Sequence, residues 1–475
     1  MSKLILVRPT QSHIPEIQAY REECLAHDSH THGDSGLYKY NDIAAWVNFC
    51  HLMRRKETAP NPKWVEADQF MLMRDGEPQI LGMINFRHYL TEGYLAEHAG
   101  HIGFGVRPSE RRKGYAKAML SLCLEECRAL GLARVLLTCD IDNHGSRGTI
   151  KACGGKFERL AITGCEIDER YWIELGNGCA TPETVPPLGP SDNDVASAMP
   201  QDKEQTPLTS PEILANHYSS QDEEARLATR HGLVEFLTTM RYIEKYLTNG
   251  AKILEIGAGT GRYSRAIADI GHKVEAVELV PHNIEVFRQA MKPGQDIKII
   301  QGNALDLSMF EANSFDLTLS LGPLYHLYTP EDKLKAISEA LRVTKPGGVV
   351  FVAYCMSDPS IVEGGFGHRR FDVGTMMQKG LINPVTFATK SRPEDIFEMV
   401  RIQDIHALME AINKDIPVTH LHMVGTDLFS RYIRDSLETM DDENFALYLR
   451  YHFAVCERQD MIGISHHMLD IFRKE

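Results

Sequence analysis

Short apolar runs alternate with amphipathic stretches along the second half of the chain. Ile253, Leu254 and Ile256 form one such run, which is typical of a buried parallel strand. The next stretch has apolar residues on one face and is predicted to be a helix that ends at Gly271. Further strands are predicted at 273–277, 297–301, 315–320 and 349–354. This βαβα order predicts a doubly wound, mostly parallel sheet with helices on both faces.

The first part of the chain has a different pattern. Apolar stretches at 70–73 and 80–88 flank Asp75 and Gly76, a dipeptide typical of a hairpin turn. A strand at 101–106 leads directly into a long amphipathic helix. The other predicted elements are strands at 4–8, 134–138 and 171–175 and helices at 14–27 and 40–55. The pattern therefore predicts an α/β domain here as well.

Residues 176–211 separate these two parts. They are rich in Pro, Gly, Ser, Thr and acidic residues and lack apolar periodicity, which is typical of a flexible linker. The linker divides the chain into predicted domains at 1–175 and 212–475. Within the second domain, residues 357–441 interrupt the alternation of strands and helices. We expect them to form an inserted cap, or lid, over a cleft.

Composition and charge narrow the classes of function. The chain has 475 residues, a net charge of −14 and a pI of about 5.8. A large nucleic-acid footprint needs a basic face, so the charge argues against DNA as a substrate. No apolar run is long enough for a membrane helix or a signal peptide. The ten cysteines lack Cys-x-x-Cys pairs and are typical of free thiols in a reducing cytoplasm. The sequence leaves the oligomeric state open.

A glycine-rich turn, Glu255-x-Gly257-x-Gly259-x-Gly261, follows the first strand of the second domain. A helix, a second strand and the acidic Glu278 come next, and a carboxylate in that place can bind both hydroxyls of a ribose. Two classes of nucleotide fit this order. A dinucleotide would require Gly-x-Gly-x-x-Gly for its pyrophosphate. The turn instead resembles the S-adenosylmethionine loop of class I methyltransferases.

The resemblance implies a Rossmann-like methyltransferase with S-adenosyl-L-methionine as cofactor. Asn303 would bind the adenine amino group, and Ala304 would leave room for the ring. The segment after the fourth strand departs from the Asn/Asp-Pro-Pro-Tyr motif of enzymes that methylate DNA and glutamine, and resembles small-molecule methyltransferases. His326 in this segment is either a general base or a histidine bonded to backbone at a helix start. The implied cofactor residues are Tyr218, Glu255, Gly257, Ala258, Gly259, Thr260, Gly261, Glu278, Leu279, Asn303, Ala304 and Leu321, and the implied catalytic residues are Tyr325 and His326.

A basic turn, Arg111-Arg112-Lys113-Gly114-Tyr115-Ala116, lies between a strand and a helix of the first domain. Main-chain amides that open towards a helix N-terminus, with cations beside them, form an anion site. The turn resembles the acetyl-CoA pyrophosphate loop of the GNAT superfamily of N-acetyltransferases, as do Asn143-x-x-Ser146 and the following Gly154-Gly155-x-Phe157. The resemblance covers the whole first domain and implies a mixed-sheet fold that binds acetyl-CoA. The implied cofactor residues are Val106, Arg111, Arg112, Lys113, Gly114, Tyr115, Ala116, Asn143 and Ser146.

The same resemblance implies direct attack of an amine on the thioester. Val106 N–H would bind the thioester carbonyl while the backbone of 104–106 holds the pantetheine arm. Glu97 and His101 are the candidate proton acceptors, together with His98, acting through water.

One feature of the GNAT pattern is missing from the first domain. Members of that family often place a tyrosine acid on the short helix after the asparagine, but residues 145–153 contain none. Tyr115 and Tyr171 are poorly placed substitutes.

Together, the two resemblances imply a bifunctional cytoplasmic transferase that acetylates and methylates small molecules. In one alternative, one of the two domains is a non-catalytic module that senses its cofactor. The first domain is the favoured candidate for this role. In another, the methyltransferase modifies protein or RNA. We expect no metal site, because the pairs at 420 and 422 and at 466 and 467 lack partners at ligand spacing.

Overall fold

The structure is a computed structural model, and it describes residues 3–27, 31–61, 63–164, 166–176, 213–214, 217–218 and 229–475. The chain divides into two compact units, Met1–Ser197 and Ala198–Glu475. Each unit is described by itself. Apart from Gly176, the predicted linker at 176–211 lies outside the described residues, so the domain limits 1–175 and 212–475 stay predictions.

Two antiparallel sheets form the first unit. The four-stranded sheet has the order β1 (Leu4–Val7), β2 (Ala67–Arg74), β3 (Ile80–Arg87) and β4 (Ile102–Val106). The three-stranded sheet has the order β5 (Arg134–Asp140), β7 (Glu166–Glu174) and β6 (Lys156–Thr163). The α-helices are α1 (Ile14–His27), α2 (Ile43–Leu52), α3 (Tyr115–Ala129) and α4 (His144–Ala152).

Helices cover both faces of the four-stranded sheet. Along β2, Phe70 and Leu72 join the core that contains α3, whereas Met71 and Met73 join the core that contains α1 and α2. This alternation follows the pleat of a strand, and it explains why β2 and β3 are nearly continuous apolar runs. The predicted turn joins these two strands, and Gly76 adopts a φ of +78° there.

The three-stranded sheet differs from the expected pattern. The sequence pattern did not predict β6, and β7 begins at Glu166 rather than at residue 171. Both strands contain consecutive charged residues beside apolar ones, and the buried Arg170 has a partner because its guanidinium donates to Glu158 at 2.8 Å. The expected mixed sheet is divided into two antiparallel sheets, which touch where His101 N–H donates to the carbonyl of Leu136 at 2.7 Å.

One eight-stranded sheet organises the second unit. Its order is β10-β9-β8-β11-β12-β15-β14, with β13 beside β12. The first five of these strands are parallel, β15 is antiparallel to β12, and β14 is antiparallel to β15. The strands are β8 (Lys252–Ile256), β9 (Lys273–Glu278), β10 (Ile297–Gln301), β11 (Phe315–Ser320), β12 (Thr344–Met356), β13 (Met399–Val400), β14 (Val418–Gly425) and β15 (His467–Lys474).

Helices pack on this sheet and alternate with its strands along the chain. They are α5 (Arg230–Tyr246), α6 (Arg262–Asp269), α7 (Pro281–Ala290), α8 (Pro330–Val343), α9 (Ser357–Ser360), α10 (Val373–Gln378), α11 (Ile402–Asp415), α12 (Arg434–Thr439) and α13 (Asp442–Val455). Residues of α8 and α11 share one buried core with β8, β11 and β12. The predicted doubly wound, mostly parallel sheet is confirmed.

The predicted cap at 357–441 is only partly separate from the sheet. Its last part contributes β14 to the sheet edge, and β13 pairs with Cys355 and Met356 of β12. The remainder holds a small apolar cluster of Ile361, Val373 and Ile382. The cap proper is therefore shorter than the predicted segment, because a strand that pairs with its neighbours is part of the central layer.

Within the described parts of the chain, no helix is both long enough and apolar enough to cross a membrane. The eight described cysteines are free thiols, and six of them are buried.

Candidate functional site

A cavity of about 620 Å³ opens at the carboxyl ends of the parallel strands in the second unit. β8 lies between β9 and β11, so the strand order reverses there, and open α/β sheets bind ligands at such a point. The volume is in the usual range for small-molecule and cofactor sites. Nearly all predicted site residues of this unit line the cavity: Tyr218, Glu255, Gly257, Ala258, Gly259, Thr260, Glu278, Leu279, Asn303, Ala304, Leu321, Tyr325 and His326.

The three glycines after β8 have different surroundings, although each has a positive φ. A Cβ at Gly257 would lie 2.6 Å from Cδ of Pro323, and a Cβ at Gly261 would overlap the ring of Phe287. A Cβ at Gly259 would meet no described atom within 4 Å, apart from its chain neighbours. A ligand can therefore approach the main chain at Gly259. Gly257 and Gly261 let the turn pack against protein, and Gly261 does not line the cavity.

Glu278 ends β9 with a carboxylate that the main chain fixes in place. Gly259 N–H donates to its Oε2 at 2.8 Å, and Val280 N–H and the Asn283 amide donate to its Oε1 at 2.9 and 3.2 Å. Glu278 is only 5 % exposed, and burial raises its pKa. Among described residues, Oε1 already accepts two hydrogen bonds, whereas Oε2 accepts only the one from Gly259, so Glu278 can still accept from a ligand hydroxyl through Oε2.

Glu255, at the base of the glycine turn, is a second buried carboxyl group in the cavity wall. It is 1 % exposed and accepts from both the N–H and the hydroxyl of Ser264. Burial raises the pKa of Glu255 to about 7, and the charge of Glu278 adds to that effect. Two carboxyl groups on one cavity suit a cationic ligand.

The loop after β10 forms the side of the cavity expected to bind adenine. Asn303 Oδ1 accepts from Leu305 N–H at 3.0 Å, which closes a tight turn. Ala304 is small and nearly buried. The second lone pair of Asn303 Oδ1 is compatible with the predicted contact to an amino group.

The sequence left two roles open for His326, a general base or a histidine bonded to the backbone, and the ring has contacts that fit both. Its Nδ1 lies 2.9 Å from the carbonyl of Ile396, so Nδ1 carries the proton and Nε2 accepts. The hydroxyl of Tyr218 donates to Nε2 at 2.8 Å. Burial lowers the pKa of His326 to about 4, which keeps the ring neutral. Tyr325 packs edge-on against this ring, and its hydroxyl donates to the carbonyl of Leu321 at 2.9 Å.

The structure adds two residues that the sequence reasoning missed, Glu235 and Asp427, and places them beside His467, for which the sequence showed no acidic partner. Glu235 of α5, Asp427 and His467 place one ligand atom each within 4.8 Å of one another. Asp427 is 1 % exposed and accepts from the Ser465 hydroxyl at 2.6 Å and from His467 Nδ1 at 3.0 Å. Glu235 and His467 both line the cavity. These residues are far apart in sequence, so no local spacing could indicate their proximity.

The charges within this group form an ion-pair network. Burial alone would lower the pKa of His467, but the charge of Glu235 and the hydrogen bond to Asp427 raise it well above its ordinary value. Burial alone would raise the pKa of Asp427, but the hydrogen bond from His467 holds it well below its ordinary range.

In the first unit, the strand register leaves main-chain groups of β4 free of β3. Arg107 N–H donates to Leu81 of β3, so in an antiparallel ladder Gly105 faces β3, whereas Phe104 and Val106 direct their N–H and C=O to the other side. The side chain of Arg111 reaches the Val106 carbonyl from there, at 3.3 Å. β4 is the edge of its sheet, and β5 belongs to the other sheet. The Val106 N–H therefore faces the gap between the two sheets.

The basic turn before α3 has the backbone of an anion site. Arg112 and Gly114 have φ values of +65° and +85°, and such alternation turns successive N–H groups towards one point. Gly114 is the N-cap of the 15-residue α3 and makes no side-chain cap. A non-glycine residue at positive φ is unusual and clusters at functional sites. Lys113 pairs with Glu110 at 3.0 Å, and Ala116 follows in the first turn of α3.

Asn143 and Ser146 are joined at the start of α4. Asn143 is the N-cap, and its Oδ1 accepts from Ser146 N–H at 2.9 Å. The pair therefore shapes this helix start, and a cofactor contact there stays a prediction.

The predicted proton acceptors have other partners. Glu97 is paired with Arg159, which donates to both carboxylate oxygens at 2.9 and 2.7 Å and lowers the pKa of Glu97. His101 is 7 % exposed, its Nδ1 accepts from Leu136 N–H at 2.9 Å, and burial lowers its pKa to about 4. His101 and Val106 are five residue steps apart at about 3.3 Å each, so they lie roughly 16 Å apart along the strand. The geometry thus gives His101 a structural contact between β4 and β5.

The two tyrosines considered as substitutes, Tyr115 and Tyr171, also have hydrogen-bond partners within the protein. The Tyr115 hydroxyl binds the Arg74 guanidinium. Tyr171 is 1 % exposed and donates to Glu169 at 2.9 Å, and burial raises its pKa far above the ordinary value.

Comparison with known families gives one match in each unit. Residues 37–154 match the model of the acetyltransferase (GNAT) family, and residues 254–352 match the model of a methyltransferase domain. The first unit contains a GNAT domain, and the second contains a methyltransferase domain. The methyltransferase match begins in β8 and ends in β12, and so includes the glycine turn, Glu278 and His326. The predicted resemblance to both families is confirmed.

Curated relatives of the chain include other methyltransferases. The ubiquinone biosynthesis O-methyltransferase of Xanthomonas axonopodis pv. citri is 28 % identical over 145 residues, which are 29 % of this chain and 59 % of that protein. The demethylmenaquinone methyltransferase of Renibacterium salmoninarum is 38 % identical over 105 residues, which are 22 % of this chain and 41 % of that protein. The chain thus spans only part of the length of these relatives.

Among solved structures, an S-adenosylmethionine-dependent methyltransferase from Methanosarcina mazei is 18 % identical to this chain. The match covers 49 % of this chain and 96 % of that one, with a TM-score of 0.33.

Proposed function

We propose that the second unit transfers a methyl group from S-adenosyl-L-methionine to a small molecule. One observation carries this proposal. The cavity at the strand-order reversal has the open main chain of Gly259 on one wall and the fixed carboxylate of Glu278 beside it. That pair suits a nucleoside with two ribose hydroxyls and no phosphate.

The chain's own residues divide the binding task. Glu278 would hold the ribose, the Asn303 loop the adenine, and the main chain at Gly259 the amino-acid part of the cofactor. Glu255 and Glu278 together would favour its positive charge. When bound, the cofactor supplies an activated methyl group. The protein must then align the acceptor and remove its proton.

Tyr218 and His326 are suited to move that proton. Tyr218 lines the cavity, and its hydroxyl already donates to His326 Nε2. If an acceptor hydroxyl or amine donates to the Tyr218 oxygen, the tyrosine proton can pass to Nε2 in the same step. The proton therefore reaches His326 without direct contact between acceptor and imidazole.

Cavity shape supports a small acceptor rather than protein or RNA. Tyr218 and Pro393, from segments before and after the central strands, join the cavity wall with Tyr328. The net charge of −14 also disfavours a polyanion. The alternative of a protein or RNA substrate would need an open, basic cleft.

Isothermal titration of the full chain with S-adenosylhomocysteine tests this proposal. Gly259→Ala places a methyl group where the ligand approaches, so affinity should fall at least about tenfold. Gly271→Ala is the matched control, since Gly271 also has a positive φ with no described atom within 4 Å of an added methyl group, but lies outside the cavity lining. Equal affinities of the two variants would contradict the proposal. Gly257→Leu is a poorer probe, because its side chain would first strike Pro323.

We further propose that the first unit is an acetyl-CoA-dependent N-acetyltransferase, so that the chain is bifunctional. Support comes from the Val106 N–H at the sheet gap and the positive-φ turn before α3. The turn would bind the pyrophosphate, and Val106 the thioester carbonyl. The engaged Tyr115 and Tyr171 favour the alternative, a module that binds acetyl-CoA without catalysis.

Two glycines at opposite ends of α3 allow a matched test. Gly114 and Gly131 have φ values of +85° and +88°, and neither has a described atom within 4 Å of an added Cβ. Gly114→Ala should weaken coenzyme A binding about tenfold, whereas Gly131→Ala should not. If neither variant lost coenzyme A binding, the assignment of the turn before α3 as the pyrophosphate site would be wrong. Acetyl transfer to a panel of amines then separates an enzyme from a sensing module.

A further inference from the structure

A second, smaller cavity of about 230 Å³ lies beside the methyl-transfer cavity. Glu235 lines both of them, while the neighbouring Thr426 and Asp427 line one each. The two cavities therefore share a wall. The smaller one is lined by His231, Glu235, Arg370, Asp427, Arg431 and Arg434.

Three arginines from different elements of the chain converge on this cavity. Arg370 follows the π-helical turn Ile361–Gly367, Arg431 follows β14, and Arg434 begins α12. A pair of adjacent arginines at 369 and 370 alone would suggest a surface salt bridge. The fold instead brings one of them to two others more than sixty residues away.

Two acids, Glu363 and Asp435, form the ion pairs of these arginines. Arg370 and Arg431 share the single carboxylate of Glu363, at 3.6 and 3.3 Å. That carboxylate also lies 3.1 Å from His466 Nε2, and this close contact, together with the charge of Arg431, lowers the pKa of Glu363 to about 2. Arg434 forms an ion pair only with the fully exposed Asp435, at 3.7 Å, among described residues. The three arginine side chains are 30 to 50 % exposed, and each guanidinium has five N–H donors.

The smaller cavity is lined by acidic as well as basic side chains. Glu235 and Asp427 line it together with the three arginines. The same two carboxylates enclose the imidazole of His467, whose Nδ1 lies 3.4 and 3.0 Å from them, and His467 lines the methyl-transfer cavity. A ligand that reaches from one cavity into the other meets an acidic group first and arginines beyond it.

We infer that the methyl acceptor is a small zwitterion, in which an amine next to Glu235 is joined to an anionic oxygen group bound by Arg370, Arg431 and Arg434. This inference depends on the methyltransferase function proposed above. Carboxylate, phosphate and phosphonate each present two oxygens on one atom, and a guanidinium binds such a pair with two parallel hydrogen bonds. The small volume and the acidic wall exclude an extended polyanion.

Competitive binding to the full chain saturated with S-adenosylhomocysteine tests the inference. The probes are ω-amino carboxylates and ω-amino phosphonates of increasing chain length. Each is compared with the alkylamine of equal length and with the fatty acid or alkylphosphonate that lacks the amine. At least one zwitterion should bind about tenfold more tightly than both of its single-charge counterparts, because each charged group gains a partner. The two series show whether the site prefers a carboxylate or a phosphonate. If no zwitterion exceeds its counterparts, the inference is wrong.

Variants locate the binding of the anionic group. Arg434→Met and Arg431→Met should each bring the zwitterion down to the affinity of the alkylamine. Arg458→Met is the matched control, since Arg458 pairs with Asp460 outside both cavities and should leave the zwitterion affinity unchanged. Wild-type zwitterion affinity in both cavity variants would also overturn the inference.

The affinity for S-adenosylhomocysteine separates the two levels of proposal. If the wild-type chain fails to bind it, the methyltransferase proposal fails. If the wild type and the arginine variants bind it equally but no zwitterion binds, only the acceptor class is wrong.

Discussion

Two buried carboxyl groups, Glu255 and Glu278, set the charge of the methyl-transfer cavity. Glu278 receives three hydrogen bonds from N–H groups and is held at the side of the glycine turn. Glu255 has only Ser264 as a hydrogen-bond partner among described residues, and its pKa of about 7 lies near physiological pH. The protonation of Glu255 is therefore the variable part of the cavity's charge.

This leads to a prediction about pH. Glu255 is mostly protonated at pH 6 and mostly ionised at pH 8, because its pKa is raised to about 7. The ionised form attracts a sulfonium, so S-adenosylmethionine should bind about three- to tenfold more tightly at pH 8 than at pH 6, relative to the uncharged thioether S-adenosylhomocysteine. Titration calorimetry of both ligands gives this ratio.

Glu255→Gln should remove the pH dependence of the ratio, while Glu275→Gln, at a half-exposed partner of Lys298, should keep it. A wild-type ratio that stays constant from pH 6 to pH 8 would contradict the charge assigned to Glu255.

A second prediction at this scale concerns the Tyr218–His326 pair. The tyrosine hydroxyl donates to Nε2 and so stabilises the neutral imidazole. In Tyr218→Phe the pKa of His326 should rise from about 4 towards about 5. Histidine-selective NMR measures it, with His326→Gln to assign the signal. A pKa that does not change would show that the hydrogen bond has no role in keeping the ring neutral.

At the scale of elements, burial decided which strands could be predicted. β10 and β11 have the predicted limits because each has three large apolar residues within a short segment between turns. β6 was missed because its charged residues pair with other segments of the chain, as Glu158 does with Arg170 and Arg159 does with Glu97. Local pattern shows what a strand buries, whereas cross-strand ion pairs depend on register.

The same distinction applies to the candidate sites. The glycine turn, Glu278 and Asn303 follow successive strands, so topology alone brings them to one cavity. The group of Glu235, Asp427 and His467 forms only because β15 inserts antiparallel between β12 and β14. That insertion joins residues from the two ends of the unit, and sequence spacing carries no sign of it.

The junction between β4 and β5 supports a prediction at this scale. His101 accepts from Leu136 N–H through its ring and donates to the Leu136 carbonyl through its main chain. His101→Ala leaves a buried N–H without a partner, which costs about 1–3 kcal/mol. Hydrogen exchange should therefore increase in peptides that contain β4 and β5, and it should not change in peptides of the second unit.

His101→Gln offers an acceptor again and should restore part of the protection. If His101 were instead the proton acceptor for acetyl transfer, both variants would lose activity while the exchange of β4 and β5 stayed at the wild-type level.

At the scale of the whole molecule, each proposed site takes all its described residues from one unit. The methyl-transfer cavity is lined by residues from 214 to 469, and the proposed acetyl-CoA site by residues from 106 to 146. A ligand that contacts only one unit stabilises that unit in proportion to its occupancy. The two cofactors should therefore act as separate ligands.

We predict that S-adenosylhomocysteine slows hydrogen exchange in peptides around residues 255–261, 278–283 and 302–305, whereas coenzyme A slows it around 104–116 and 143–146. With both ligands present, the protection should equal the sum of the two single effects, because sites that share no residues and no partners act additively. The Gly259→Ala and Gly114→Ala variants serve as controls, since each should lose one pattern and keep the other. Protection of the first unit by S-adenosylhomocysteine in the Gly114→Ala variant would contradict independence and would show that the two transferase domains are coupled.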